Sequence, residues 1–239
     1  MSERPILVVK TGEALAPVKA RYGDFEDWIA RGLGLPVASL SVVSVYRDEP
    51  LPDAGEVGGV VVTGSPAMVT ERPAWSEAAA AWLADVVRAD ARPVLGLCYG
   101  HQLIAHGLGG EVGPNPKGRE MGTVEVTFPD APAADSIFER GSFPGHMSHV
   151  ESVLRPPADA RVLAQSPIDP HSTLAFGPRQ WGVQFHPEFD AAIMRGYVEA
   201  RREILAEEGL DPDALVDGVV ETPGLTAILA RFSDVVRRA

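Results

Sequence analysis

The sequence predicts an α/β protein, with a central, mostly parallel sheet flanked by helices and a smaller antiparallel ribbon. Three observations carry this. Short, largely apolar runs recur at residues 6–9, 58–62, 93–97 and 181–185, as expected of strands buried on both faces. Longer amphipathic segments at helical spacing lie between them, at 18–32 and 73–90. At Gly96-Leu97-Cys98-Tyr99-Gly100-His101-Gln102 an apolar strand runs through a glycine-framed turn into a helix.

In chain order, Ile6-Leu7-Val8-Val9 predicts the first central strand. A helix over 18–32 follows, with Phe25, Trp28 and Ile29 on its core face. The Val-rich alternation at 40–46 predicts a second strand, and 51–53 a loop. Gly58-Gly59-Val60-Val61-Val62 predicts the third strand, leading into Thr63-Gly64-Ser65-Pro66. The helix over 73–90 turns Trp75, Trp82, Leu83 and Val86 toward the sheet. Strand 93–97 and the cysteine turn come next, with a helix starting at Leu103-Ile104-Ala105-His106. Gly107-Leu108-Gly109-Gly110 ends that helix. It is no dinucleotide loop, because the third glycine of that motif would fall on Val112 and the segment follows a helix. Residues 123–128 alternate as a strand, and the region to about 175 predicts short antiparallel strands. After strand 181–185, residues 191–208 predict a polar helix, and 211–218 and 222–238 two more. Glu199, Arg201, Arg202, Glu203, Glu207 and Glu208 are expected to form a solvated charged surface. A boundary near Asp190 divides a main domain, 1–190, from a helical extension, 191–239, packed on it.

Composition narrows the function. A 45% hydrophobic content over 239 residues is ample for a large core, and the net charge of −12 argues against nucleic acid as the main partner. No apolar run reaches the roughly 20 residues of a membrane span. Met1-Ser2-Glu3-Arg4-Pro5 lacks the basic and apolar parts of a secretion signal. One unpaired cysteine suits a reducing, cytoplasmic setting and excludes a zinc–cysteine cluster.

That cysteine is the candidate nucleophile. A tight turn between glycines lifts Cys98 above the sheet edge, and the following helix aims its positive end at the sulfur, which favours thiolate. A lone Cys with a His far along the chain suits a thiol and its base. His186 ends the strand Trp181-Gly182-Val183-Gln184-Phe185, and Glu188, two residues on, can orient its ring. Gln102 lies one helical turn after Cys98, on the same face. A backbone N–H in the Thr63–Pro66 turn, that of Ser65, and the N–H of Tyr99 are the candidate oxyanion donors.

Gly-Leu-Cys-Tyr-Gly-His-Gln and Gly-Val-Gln-Phe-His-Pro-Glu together resemble the class I glutamine amidotransferase family, whose fold is flavodoxin-like. Val60-Val61-Val62-Thr63-Gly64-Ser65-Pro66 resembles the family's oxyanion strand and loop, though the family usually has Gly at the Ser65 position. Met147-Ser148-His149 is similar to a segment of the glutaminase domains of GMP synthases; there Gly-Asp usually follows, where this chain has Val150-Glu151. The resemblance covers roughly residues 5–190. It implies that Gly64, Gln102, Ser148, His149 and Val150 meet the substrate, Ser148 and Val150 largely through their main chain. It also implies a Cys98–His186–Glu188 triad with neither metal nor cofactor.

Cys98 is then expected to attack the side-chain amide of glutamine and form a γ-glutamyl thioester, releasing ammonia and glutamate. A γ-glutamyl peptidase acting on glutathione-like compounds is the alternative. A non-catalytic binding or stress-response protein with an elbow cysteine is a third reading, against which His186-Pro187-Glu188 weighs. The synthetase loop Ser-Gly-Gly-Val-Asp-Ser is not in the sequence, so the expected partners are a small-molecule substrate and a separate ammonia-accepting enzyme, with neither nucleic acid nor membrane.

Overall fold

Every apolar run read as a buried strand forms one. The computed structural model describes residues 4–129 and 137–239. Met1-Ser2-Glu3, on which part of the leader reading rests, and residues 130–136, within the stretch read as antiparallel strands, lie outside them. The strands are β1 (Ile6–Lys10), β2 (Ser41–Ser44), β3 (Gly59–Val62), β4 (Val94–Leu97), β5 (Glu111–Pro114), β6 (Glu120–Phe128), β7 (Gly141–His149), β8 (Glu151–Arg155), β9 (Arg161–Ala164), β10 (Thr173–Ala175) and β11 (Gln180–Val183). Seven form one sheet in the order β2-β1-β3-β4-β11-β10-β9. Its first five members run parallel, and β10 is antiparallel to both its neighbours. β6 pairs with β7 and β5 with β8 as separate antiparallel ribbons. The fold is thus the expected α/β class, although β9 and β10 extend the main sheet instead of joining a ribbon.

The helices are α1 (Ala16–Tyr22), α2 (Phe25–Leu33), α3 (Ala74–Arg88), α4 (Tyr99–Gly107), α5 (Ala191–Ala200), α6 (Arg202–Glu207), α7 (Pro212–Asp217) and α8 (Pro223–Arg238). Because side chains alternate across a strand, β1 sends Val8 to one face and Leu7 and Val9 to the other. Val8 packs with Val61, Leu95 and Val183 under α2, α5 and α8. Leu7 and Val9 pack with Val60, Val62 and Val94 under α3 and α4. In α8 the buried residues Leu225, Ile228, Leu229 and Phe232 fall at helical spacing, and each large one contributes about 1.5–3 kcal/mol by leaving water.

Several predicted elements differ in extent. The helix expected over 18–32 is two helices, because Gly23 takes φ 86° and Asp24 restarts the chain with a capping box to Asp27. The second strand is shorter than 40–46, and a 3₁₀ turn follows it. Of the four α3 residues turned toward the sheet, Leu83 and Val86 are buried there. Trp75 instead stacks on Tyr99, and Trp82 donates to the Pro52 carbonyl at 3.1 Å. The polar helix of 191–208 is α5 and α6, broken at Arg201, and α5 buries Ile193, Met194, Tyr197 and Val198. Finally, α4 starts at Tyr99, four residues before Leu103, directly behind the cysteine.

Candidate active site

The site lies at the carboxyl ends of the parallel strands, where ligands bind in open α/β sheets. Cys98 follows β4 with φ 49° and ψ −101°, a strained conformation for a residue with a side chain. Its N–H donates to the Val183 carbonyl at 2.8 Å, and its carbonyl accepts from Gln102 N at 3.1 Å. The flanking glycines are needed for close approach. A Cβ on Gly96 would meet the Gly100 carbonyl at 2.6 Å, and one on Gly100 would meet the Val62 oxygen at 2.6 Å. Tyr99 is the first helical residue, so its N–H has no intrahelical acceptor, and the helix dipole points at the sulfur.

β11 pairs with β4 with Val183 opposite Leu97, so the chain just beyond β11 carries His186 to Cys98. The His186 ring is buried and stacked on Phe189 at 4.1 Å, and its Nδ1 lies 2.8 Å from Glu188 Oε1. Burial opposes a charged ring here. The charges of Glu188 and Cys98, with hydrogen bonds to both, outweigh it and push the His186 pKa up to about 10. His186 therefore keeps its proton at neutral pH, beside the sulfur. Gln184, two residues earlier, donates from Nε2 to Cys98 Sγ at 3.4 Å and accepts from Gln102 Nε2 at 3.0 Å.

Gly64 sits behind His186, where a Cβ would come within 3.0 Å of the ring carbon Cε1. The Ser65 hydroxyl donates to the Thr11 carbonyl at 2.9 Å and accepts from Ala67 N at 3.1 Å, which pins the loop. Gln102 also donates to the Glu151 carbonyl at 2.7 Å. The His149 ring is held between Glu120 Oε2, at 3.1 Å from Nε2, and the Glu151 carbonyl, at 2.9 Å from Nδ1. The Val150 carbonyl accepts from Asn115 N at 2.8 Å.

Two adjoining cavities meet at Cys98. Tyr99, Gln102, His149 and Val150 line one, His186 the other, and both share Ser65, Pro66, Ser148 and Arg201. The structure thus brings together the predicted residues except Glu188 and Gly64, which stand behind the His186 ring. Among the described residues no cluster of three His, Cys, Asp or Glu side chains could hold a metal ion, and no helix is long and apolar enough to cross a membrane.

Sequence reasoning missed four residues. Gln184 had a signal, since in a strand read as running to His186 it lies two residues earlier and on the same side. The Glu151 carboxylate accepts from Val69 N at 2.9 Å and from the Thr70 hydroxyl, tying the loop after β3 to the floor of the site. Arg119 and Arg201 line the cavity with no local motif. Arg201 was expected on a solvated surface, but it is partly buried at the α5–α6 junction and faces the cysteine. Three histidines stay apart from the chemistry. His101 is wholly buried, and burial, then the charge of His149, lowers its pKa to about 3. Burial, then the charge of His186, lowers that of His146 to about 4. His106 pairs with Glu77 at 2.9 Å near the end of α4.

The sequence profile described as glutamine amidotransferase class-I matches residues 21–199. The chain belongs to this family. A GMP synthase [glutamine-hydrolyzing] of Aeropyrum pernix is 40% identical over 195 residues, covering 77% of this chain and 32% of that protein. The chain thus spans about a third of the length of that relative. A protein of Ignicoccus hospitalis, named as one subunit of a glutamine-hydrolyzing GMP synthase, is 40% identical over 147 residues, 58% of this chain and 71% of that one. Among solved structures, a glutamine amidotransferase of Thermotoga maritima superimposes with a TM-score of 0.76 over 99% of this chain and 100% of that one. At 19% identity, that likeness speaks for the shared fold of this amidotransferase family alone.

Proposed function

We propose that the chain is a glutaminase of the amidotransferase type, with Cys98 as nucleophile, His186 as acid and base, and Glu188 as the group that orients His186. The observation that carries this is the strained Cys98 at the mouth of α4, facing a buried His186 bonded to Glu188 at 2.8 Å. The sulfur attacks the side-chain amide carbon of glutamine, and the carbonyl oxygen becomes an oxyanion that the N–H groups of Ser65 and Tyr99 receive. The proton on His186 passes to the nitrogen, the C–N bond breaks and ammonia leaves, giving a γ-glutamyl thioester. His186, now neutral, takes a proton from water, which attacks the thioester. Glutamate forms and the thiolate–imidazolium pair returns. Gln184 supports the thiolate through its 3.4 Å contact. Gly64, Gln102, Ser148, His149 and Val150 form the substrate's surroundings. His149 acts through its main chain, because its ring is bonded to Glu120 and the Glu151 carbonyl. No cofactor enters these steps.

Residues 1–190 form the catalytic domain in this reading and 191–239 the extension packed on it, in a reducing, cytoplasmic setting. The Ignicoccus relative, named as one subunit of a larger synthase, supports a separate ammonia-accepting enzyme. A γ-glutamyl peptidase is the second reading, favoured by Ser65 and Val150-Glu151, where glutaminase domains usually carry glycine and Gly-Asp.

The test is product analysis of the purified chain with glutamine, γ-glutamyl dipeptides and glutathione conjugates. Low ammonia release from glutamine by the chain alone, rising when the acceptor enzyme is added, is the expected result. A kcat/KM near 10⁴ M⁻¹s⁻¹, roughly the lower end for ordinary enzymes, without a partner would refute partner dependence. High turnover of γ-glutamyl peptides with poor glutamine turnover would establish the peptidase.

A further inference from the structure

Two arginines at the mouth of the cavity have hydrogen-bond capacity that the protein does not use. Arg201, between α5 and α6, faces both cavities beside Cys98. Its Nε is buried with no partner, and among the described residues it forms no ion pair. Arg119, just before β6, has a side chain only 5% exposed. Its Nε and Nη2 grip Glu208 at 2.7 and 2.9 Å, while its Nη1 is buried without an acceptor. Ser148 lines both cavities, and its hydroxyl is also buried and unpartnered.

These donors share one feature, the lack of an acceptor. Buried donors nearly always have partners, and a buried cation is costly unless an anion faces it. Burial, then the neighbouring charge of Arg119, holds the Arg201 pKa below its usual value. Glu208 is hydrogen-bonded to Arg119 alone, so among the described residues Arg201 has no carboxylate in direct contact. A single planar anion with two acceptor oxygens answers all of this, since guanidinium forks match carboxylates edge to edge.

We infer that Arg201, with Arg119 and Ser148 beside it, forms a carboxylate-binding subsite that selects which γ-glutamyl compounds reach Cys98. This rests on the glutaminase or peptidase reading above and goes beyond the main-chain contacts implied for Ser148 and Val150. The carboxylate has two sources, the α-carboxylate of the γ-glutamyl group or a carboxylate on the leaving group.

The test compares alkylation of Cys98 by iodoacetate and by iodoacetamide in the wild type, Arg201→Gln and Arg201→Lys. Both reagents meet the same thiolate, so the ratio of their rates reports the subsite and not the reactivity of the sulfur. Arg201→Gln should lower the iodoacetate-to-iodoacetamide ratio by roughly tenfold or more, as removal of one member of a close charge pair does, with Arg201→Lys in between. An unchanged ratio in a folded Arg201→Gln protein overturns the inference. If that variant does not fold, the wild type decides the matter. Glutarate should then protect Cys98 from iodoacetamide and glutaramide should not, while equal protection by both overturns the subsite.

Steady-state arms identify the source. A raised KM of Arg201→Gln for glutamine, with 4-aminobutanamide unaffected, assigns the α-carboxylate. A loss confined to γ-glutamyl dipeptides, sparing γ-glutamyl ethylamide, assigns the leaving group. A lowered alkylation ratio in a protein inactive on every γ-glutamyl compound upholds the subsite and sinks the hydrolase reading. Full turnover with unchanged ratio and KM does the reverse.

Discussion

The two walls of the cavity are built on opposite terms. One wall comes from the sheet edge: Cys98 after β4, Ser65 after β3, and Gln184 and His186 after β11. Its polar groups are largely matched within the protein, Gln102 to Gln184, Gln184 to Cys98, and His186 to Glu188. The other wall comes from β6, β7 and the α5–α6 junction. There Arg119, Ser148 and Arg201 each keep a buried polar atom without a partner. On the proposed mechanism, the matched wall is preorganised for a reaction whose charges develop at fixed points. The unmatched wall lacks only what a ligand would bring.

The largest effect should come from the matched wall. Cys98→Ala is expected to abolish ammonia and glutamate release while leaving the unfolding midpoint in denaturant where it was. Turnover like the wild type would remove the thiol from the mechanism and with it the reason for the wall's design. Glu188→Gln should come next, lowering kcat by about 10²–10⁴-fold, as loss of the orienting carboxylate does in other triads, with substrate binding retained. Near-full activity would show that Cys98 and His186 act as a dyad.

The same variant has a pH signature. His186 binds its proton more tightly in the folded chain than at its ordinary 6.5. The stability linked to that proton is thus fully present below about 6.5 and is lost as pH rises through about 10. In the proposed mechanism hydrolysis needs the imidazolium to protonate the leaving nitrogen, so its alkaline limb should lie near 10, and Glu188→Gln should move the limb downward. A limb that stays put in a full pH–rate profile would mean that Glu188 does not hold the charge. The smallest effect belongs to Arg202, one residue past Arg201, whose guanidinium pairs with Glu199 and Asp213 at the surface. Arg202→Gln should leave kinetics, alkylation ratio and melting temperature unchanged. A shift in the ratio would blur the contrast between the two walls, because a solvated arginine would then act like the partly buried one.

Apart from Gln184, the matched wall was legible because its parts are local. Gly96 and Gly100 flank Cys98 in sequence, and Glu188 is two residues from His186. The meeting of these two segments also had a signal, since both end apolar runs that read as neighbouring parallel strands. Where helices were misread, a backbone event had intervened. Gly23 at positive φ split one expected helix, and the break at Arg201 split another. That second break mattered most, because it turned a residue out of a polar helix pattern and toward the cysteine.

Sequence by itself determined the chemistry on offer: one thiol on a strained turn, a His and a Glu spaced to act together, and apolar periods that require a sheet covered on both faces. These follow from constraints acting over a few residues, where steric clash and side-chain alternation leave few choices. Tertiary structure decided the rest. Arg119 and Arg201 are 82 positions apart and sit in segments rich in charge, so nothing nearby in the chain separates them from solvated arginines. Only packing of the α5–α6 junction against the ribbon strips water from them, brings the two like charges to one cavity and gives the Glu208 hydrogen bonds to just one of them. Desolvation is a property of the whole fold, and it is what turns an ordinary arginine into a candidate for recognition.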